Sequence, residues 1–535
     1  MRIDTRRLLA TALATVLLAF GTGCSSDTSE PVAVATITIT PPSGSVNVGS
    51  TLALVVTLQD AQGKPITGRP ITYTSSDTNM ATVSASGVVT GVAPGSVSIT
   101  AVSGEKVAQA PVTVMAVRDD WITYGHDARR TFASLGSVTG PLTMAWSYVP
   151  QGTSGHALNY VQSAIATVDA IYVRTSLNAG YGYGLSPAAD RVSPAGQHVW
   201  TYNMGTDADF GDWASLMGDK LVINSDGTRY VNTTSGAAVR SNGVDSWGEI
   251  LTDAGTTYQS NDVQIDGPGV HVAALDSALK AKWSSNAFSS CRGSASAMAG
   301  GLALNNGVLF YAPAYNVGKP TTILPFASGV FAFNASTGAK ISYHASTPYS
   351  RLSADDSRVY LVESPGKLVA LSQSSLQVAW STAVTSPGEQ APVVANGLVI
   401  IGTAAGVEAY DASTGVKRWG PTAMNGAAAH WSSTYQGGSC GSVQIPAAYG
   451  GTTTIAAALG SRTLVVTAFD GIHILALGTG VDLWHGRPTG IPGYVSNPVI
   501  VNDPAKGAIV YVEDYGKLYA LSVPPVPAIV SARRR

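Results

Sequence analysis

APVVANGLVIIGTAAGVEAYDASTGVKRWGP, residues 391–421, is the stretch that decides the fold. Pro392-Val393-Val394 opens it. Gly397 to Gly402 and Gly406 to Asp411 then alternate or run apolar between glycine turns. Asp411-Ala412-Ser413-Thr414-Gly415 is a further turn, and Val416-Lys417-Arg418-Trp419 is a last short strand. Gly and Asn at the breaks and Val, Ile and Tyr in the runs are the residue types of turns and strands. One four-stranded sheet cannot bury both of its faces alone. Several packed around an axis can.

The same pattern recurs at intervals of about 30 to 50 residues, the spacing of solenoids and propellers. Upstream units occupy 162–202, 213–242, 249–285, 298–345 and 352–382, and a downstream unit occupies 455–486. Trp200, Trp283, Trp380, Trp419 and Trp484 end their units. The unit at 298–345 has Ser342 or Tyr343 where the Trp is expected, and the unit at 213–242 has no terminal Trp. The last unit, with Ala508 to Val512 and Gly516 to Leu521, lacks a fourth strand. A strand of the missing type, Met144-Ala145-Trp146-Ser147-Tyr148, precedes the first unit. Pairing the two closes the ring and removes exposed sheet edges. The expectation is eight blades closed by an N-terminal strand, or seven if 213–242 is not a blade. Trp146 and the five other repeat tryptophans are expected to pack between blades.

The repeat (Val-Tyr, Gly-x-Leu-x-Ala-Leu, Asp-x-x-Thr-Gly-x-x-x-Trp) resembles that of the pyrroloquinoline-quinone (PQQ) propellers. Trp121 to Thr131 resembles the lead-in segment of the same group. The resemblance covers 121–523 and implies an all-β propeller. Residues 33–117 read as a separate β-sandwich. Ala35 to Thr40 and Leu52 to Leu58 are strands, and Pro41-Pro42-Ser43-Gly44, Asp60-Ala61-Gln62-Gly63 and Ala93-Pro94-Gly95 are turns. Thr74-Ser75-Ser76-Asp77, Ala81 to Ser84, Gly87 to Gly95 and Ser98 to Ala101 are similar to the bacterial Ig-like group 2 domain, with Tyr73 where that family usually carries Trp. The resemblance implies a stalk, with an adhesive module as the alternative.

Export is written at the start. Arg2, Arg6 and Arg7 precede the apolar run Leu8 to Phe20, and Gly21-Thr22-Gly23-Cys24 resembles a lipobox. The reading is a signal peptide at 1–23, lipidation at Cys24 and a linker at 24–32, giving a lipid-anchored protein of the cell envelope, on the periplasmic face of the outer membrane or at the cell surface. Two other cysteines remain, Cys291 and Cys440, and an oxidising compartment favours a disulfide between them. A net charge of −2 gives no footprint for nucleic acid. A monomer is expected, with 524–535 a disordered tail ending in Arg533-Arg534-Arg535.

Chemistry is less legible. The PQQ alcohol dehydrogenases carry adjacent cysteines, a calcium held by Glu, Asn and Asp, and an Asp base. Calcium needs several hard oxygens, and the quinone needs that cation. Here no Cys-Cys pair exists. Asp207, Asp209 and Asp212 read as a solvated loop. His430-Trp431 and Gln436-Gly437-Gly438-Ser439, near Cys440, read as a cover over one face. The histidines form no local metal motif, so neither a metal nor a catalytic residue is expected. The reading is a propeller without cofactor that binds an envelope protein or polymer. It resembles in principle the propeller lipoprotein of the outer-membrane barrel-assembly machinery. The alternatives are a PQQ- and calcium-dependent dehydrogenase of alcohols or sugars, and an adhesin or carbohydrate binder.

Overall fold

The computed structural model describes residues 32–523 except 151–158, 178–187, 205–213, 225–226, 241–248, 261–271, 286–300, 313–328, 364–365, 386, 389, 425–433, 436–442, 445–453, 492–494 and 515. Every regular element among them is a β-strand, and no helix is long and apolar enough to cross a membrane.

Residues 36–115 form the sandwich. Lys106–Met115 and Gly95–Ser103 pair along their length and are flanked by Gly44–Asn47 and Thr72–Ser75. Strands Thr36–Thr40 and Val55–Gln59, and the sheet containing Val88–Gly91, complete it. Alternation turns one face of each strand inward, so Ile39, Leu54, Val89, Ile99 and Val112 form a core that needs no disulfide.

Eight antiparallel sheets follow, spanning 159–203, 214–240, 250–285, 301–345, 353–383, 393–422, 454–486 and 496–522. Each has its first strand innermost, and that strand meets the first strand of the next sheet. The eighth meets the first, so the sheets form a closed ring. Residues 214–240 make a full four-stranded sheet despite lacking a terminal Trp. The ring closes through Thr143–Tyr148, which pairs antiparallel with Leu518–Ser522 as the outer strand of the eighth sheet.

A repeated lock joins neighbouring sheets. The indole N–H of Trp380, on the outer strand of the fifth sheet, donates to the Ala412 carbonyl of the sixth at 2.9 Å. Trp146, Trp200, Trp283 and Trp419 donate to Pro194, Thr233, Ala335 and Leu477 of their next sheets at 2.9 to 3.1 Å. Each of these rings lies on the glycine of the neighbour's turn. A Cβ at Gly415 would stand 2.4 Å from the Trp380 ring, and φ there is +73°, so glycine is required twice over.

At two junctions the tryptophan itself is missing, and there both halves of the lock change together. The second sheet has no Trp, and the fourth has Ser342 at the position opposite Ala332 that Trp380 takes opposite Ala370. In the sheets that follow them, Leu279 and Leu376 replace the glycine, buried and at φ +63° and +55°. An aliphatic side chain thus fills the space that a tryptophan ring would occupy.

Candidate functional site

The lead-in segment occupies the bore of the ring. Asp119 exchanges backbone hydrogen bonds with Asn502 of the eighth sheet, and Trp121 with Ala166 of the first. The carbonyls of Ile122, Ala128, Arg129, Thr131 and Phe132 then accept from Leu216, Leu304, Ala354, Val394 and Ala457, in the second, fourth, fifth, sixth and seventh sheets. Arg130 reaches Ile250 of the third. The backbone of the segment therefore makes one circuit of the inner wall, meeting seven of the eight sheets in order, and the Arg130 side chain reaches back to the third. It ends as Ala133–Ser134, a short strand parallel to Thr454–Ala458.

The circuit demands tight backbone. His126, Arg130 and Phe132 all adopt positive φ, as does Gly125, where a Cβ would stand 3.0 Å from Arg130 Cα. Non-glycine residues in that region cost free energy and persist where surroundings over-determine them. Here the surroundings are an ion pair. The Arg130 and Glu249 side chains are each 1% exposed, with Nη2 and Oε1 3.0 Å apart. Arg130 also donates to Leu302 O at 3.1 Å, Ile250 O at 2.8 Å, Thr123 Oγ1 at 2.6 Å, and the Tyr124 carbonyl. Glu249 accepts the Leu302 amide. Burial pushes the Glu249 carboxyl up, while the charges of Arg130 and Arg351 pull it down. Arg351 in turn stacks over the Tyr124 ring at 4.7 Å. Burial prevails, so the Glu249 carboxyl is held above its ordinary value beside an arginine that keeps its proton.

A second pair anchors the entry. His126 Nε2 lies 3.0 Å from Asp119, which also accepts Ser134 Oγ and the Leu135 amide at 2.7 Å each. Burial alone would lower His126, but Asp119 raises it above the ordinary value.

The two faces of the ring differ. On one, the connections between first and second strands and between third and fourth strands are tight turns such as 254–255, 306–307 and 396–397. On the other lie the starts of the first strands and the ends of the second. Connections of 10, 11 and 16 residues (178–187, 261–271 and 313–328) leave from there, as do 151–158, 205–213, 241–248, 286–300 and 425–453 between sheets. Within the last, Thr434–Tyr435 pairs with Val443–Gln444. Long connections on a rigid scaffold are where binding groups concentrate. Buried polar groups gather at the same ends: Gln259, Ser260, Glu363, Thr403 and Glu513. Glu513 is 3% exposed, and Asn497 Nδ2 donates to it. Burial pushes its carboxyl up to about 8, so it is neutral at neutral pH.

Cys24, Cys291, Cys440, Asp207, Asp209, Asp212, His430, Trp431 and Arg533 to Arg535 lie outside the described residues. The Arg130–Glu249 pair was not legible in local spacing, because its partners are 119 residues apart; the cue was an arginine pair inside the lead-in. The carboxylates that the lead-in brings to the bore are engaged. Asp119 serves His126 and Ser134, Asp127 accepts from Thr131 at 2.8 Å, and Glu249 is held by Arg130. These three carboxylates are therefore taken up by protein partners in the bore.

Comparison with known proteins agrees with the two-part reading. Residues 33–114 match the bacterial Ig-like domain (group 2), and residues 327–436 match the family described as outer membrane protein assembly factor BamB. No curated protein matches the chain. The quinohemoprotein alcohol dehydrogenase of Comamonas testosteroni superposes with TM-score 0.50 at 14% identity, covering 76% of this chain and 80% of its own. Quinohemoprotein alcohol dehydrogenase ADHIIG of Pseudomonas putida HK5 gives 0.51 at 12%, covering 78% and 82%. BamB from Moraxella catarrhalis gives 0.46 at 14%, covering 71% and 100%. Identities this low speak to the fold alone.

Proposed function

Starting from a chain that joins a group 2 Ig-like domain to PQQ-like propeller repeats, we propose that it is a non-catalytic scaffold of the cell envelope. In this reading an eight-bladed propeller stands on an Ig-like stalk, anchored by lipid at Cys24, and holds a protein partner on its loop-bearing face. The observation that carries the reading is the circuit of residues 119–134 through the bore. Its own backbone fills the inner wall, and the Arg130–Glu249 pair uses the charges there for structure. The asymmetry of the faces supports the choice of docking surface. The BamB-type match at 327–436 agrees with a binding role.

The test is site-specific photocrosslinking in the cell of origin. A crosslinking residue at Lys367, exposed where the third strand of the fifth sheet begins on the loop-bearing face, is expected to trap a discrete partner. One at Ser374, exposed on the opposite turns, is expected to trap none. No partner from loop-face positions would overturn the reading.

A further inference from the structure

We propose that the outer edge of the seventh sheet is a binding site for a divalent transition-metal ion, held by His473, Asp482 and His485. The proposal stands apart from the scaffold reading. His473 lies on Gly471–Ala476 and His485 directly opposite on Asp482–Gly486. The register shifts between Ile474 and Leu475, so Asp482 pairs with Leu475 and shares a face with both histidines. Trp484 points to the other face, into the sheet junction at Gly140.

The geometry suits one ion. Asp482 Oδ2 is 2.8 Å from His473 Nδ1 and 3.5 Å from His485 Nδ1. The three ligand atoms all lie within 4.8 Å of one another, the single such His/Cys/Asp/Glu cluster among the described residues. Ligands bound to one zinc at about 2.0–2.2 Å stand about 3 to 3.5 Å apart, so small side-chain movements suffice. The rings of His473 and His485 are stacked, 5.4 Å between centroids.

Proton counting strengthens the case. His473 Nε2 faces Asp470 Oδ1 at 3.1 Å while its Nδ1 faces Asp482. A neutral imidazole has one N–H for these two carboxylates. If Nε2–H donates to Asp470, Nδ1 is a lone pair pointed at an anion, and only a cation or a second proton reconciles them. The arrangement with Asp470 behind the ring is the carboxylate–histidine–metal relay, in which the outer carboxylate fixes the tautomer. The sixth sheet shows the simpler alternative at equivalent positions: Glu408 and Lys417, 2.9 Å apart, balance each other one to one. In the seventh sheet two carboxylates converge on His473 instead. Two imidazoles and one carboxylate, with positions left for water, match zinc, nickel or copper rather than calcium or magnesium.

The site escapes sequence reading because its histidines are twelve residues apart and meet only across two strands. The test uses the full chain without a polyhistidine tag, stripped with chelator and titrated with zinc chloride by calorimetry and with cobalt(II) by visible absorption. One equivalent of zinc with micromolar affinity and the intense bands of four- or five-coordinate cobalt are expected. His485 is 72% exposed, so His485→Ala leaves the metal-free melting temperature unchanged. That variant and Asp482→Asn should each weaken zinc binding at least about tenfold, and Asp470→Asn by about tenfold through the outer shell. Absence of binding at high micromolar zinc would overturn the proposal. So would binding that His485→Ala and Asp482→Asn leave unaltered.

Discussion

Replacing Arg130 by Met tests how the bore is sealed. The substitution keeps an apolar stem but leaves the Glu249 carboxylate, 1% exposed, without its countercharge, and leaves Leu302 O and Ile250 O without their donor. Breaking a buried pair by removing one partner costs about 3–5 kcal/mol. Arg351 still holds Glu249 down, so about 4 kcal/mol is expected in total. Arg130→Met/Glu249→Gln retains an acceptor for the Leu302 amide and leaves no unpaired charge, and its cost should fall to about 2 kcal/mol. The sign with pH follows. Burial already holds the folded pKa of Glu249 above its ordinary value, and losing Arg130 raises it further. The native state then binds the extra proton, and stability falls as pH rises from about 4.5 toward neutrality. The single variant should therefore approach wild type near pH 4.5 and diverge from it at pH 7. Urea unfolding of the full chain followed by tryptophan fluorescence reports on the ring alone, because all 10 tryptophans follow residue 120. A penalty below about 1 kcal/mol, or one equal at both pH values, would refute the reasoning.

Other consequences are open to the same assay. Glu513, with a folded pKa of about 8 against 4.5 unfolded, binds a proton in the native state across that window. Wild-type stability should therefore drop by about 3 kcal/mol between pH 5 and 8, and Glu513→Gln should remove most of that slope. Trp380→Ala removes both ring burial and the bond to Ala412 O, and is expected to cost about 3–5 kcal/mol. Leu376→Gly should open a cavity costing about 2 kcal/mol, and Ser342→Trp alone should clash with Leu376. Combined, the two should rebuild the lock and recover most of the loss, read as urea midpoints.

Most of the architecture could be read because each repeat states it locally. The glycine of Asp411-Ala412-Ser413-Thr414-Gly415 needs positive φ, and Trp419 marks the outer strand four residues later. The closing strand was legible from one unit short of a strand and another strand to spare, and Thr143–Tyr148 pairs with Leu518–Ser522 accordingly. What the repeats did not disclose are the contacts between them. The exchange of glycine for Leu279 and Leu376 follows the missing tryptophan of the preceding sheet, a dependence that in the second case spans the 34 residues from Ser342 to Leu376. The Arg130–Glu249 pair and the His473–Asp482–His485 cluster likewise arise only after strands are placed side by side.

The central claim, a propeller that binds without catalysing, is met most directly by titrating the full chain with PQQ, with and without calcium, following tryptophan quenching and melting temperature. The account predicts neither quenching nor a raised melting temperature at micromolar cofactor. Tight calcium-dependent binding that raises the melting temperature, with turnover of an alcohol or sugar, would contradict it.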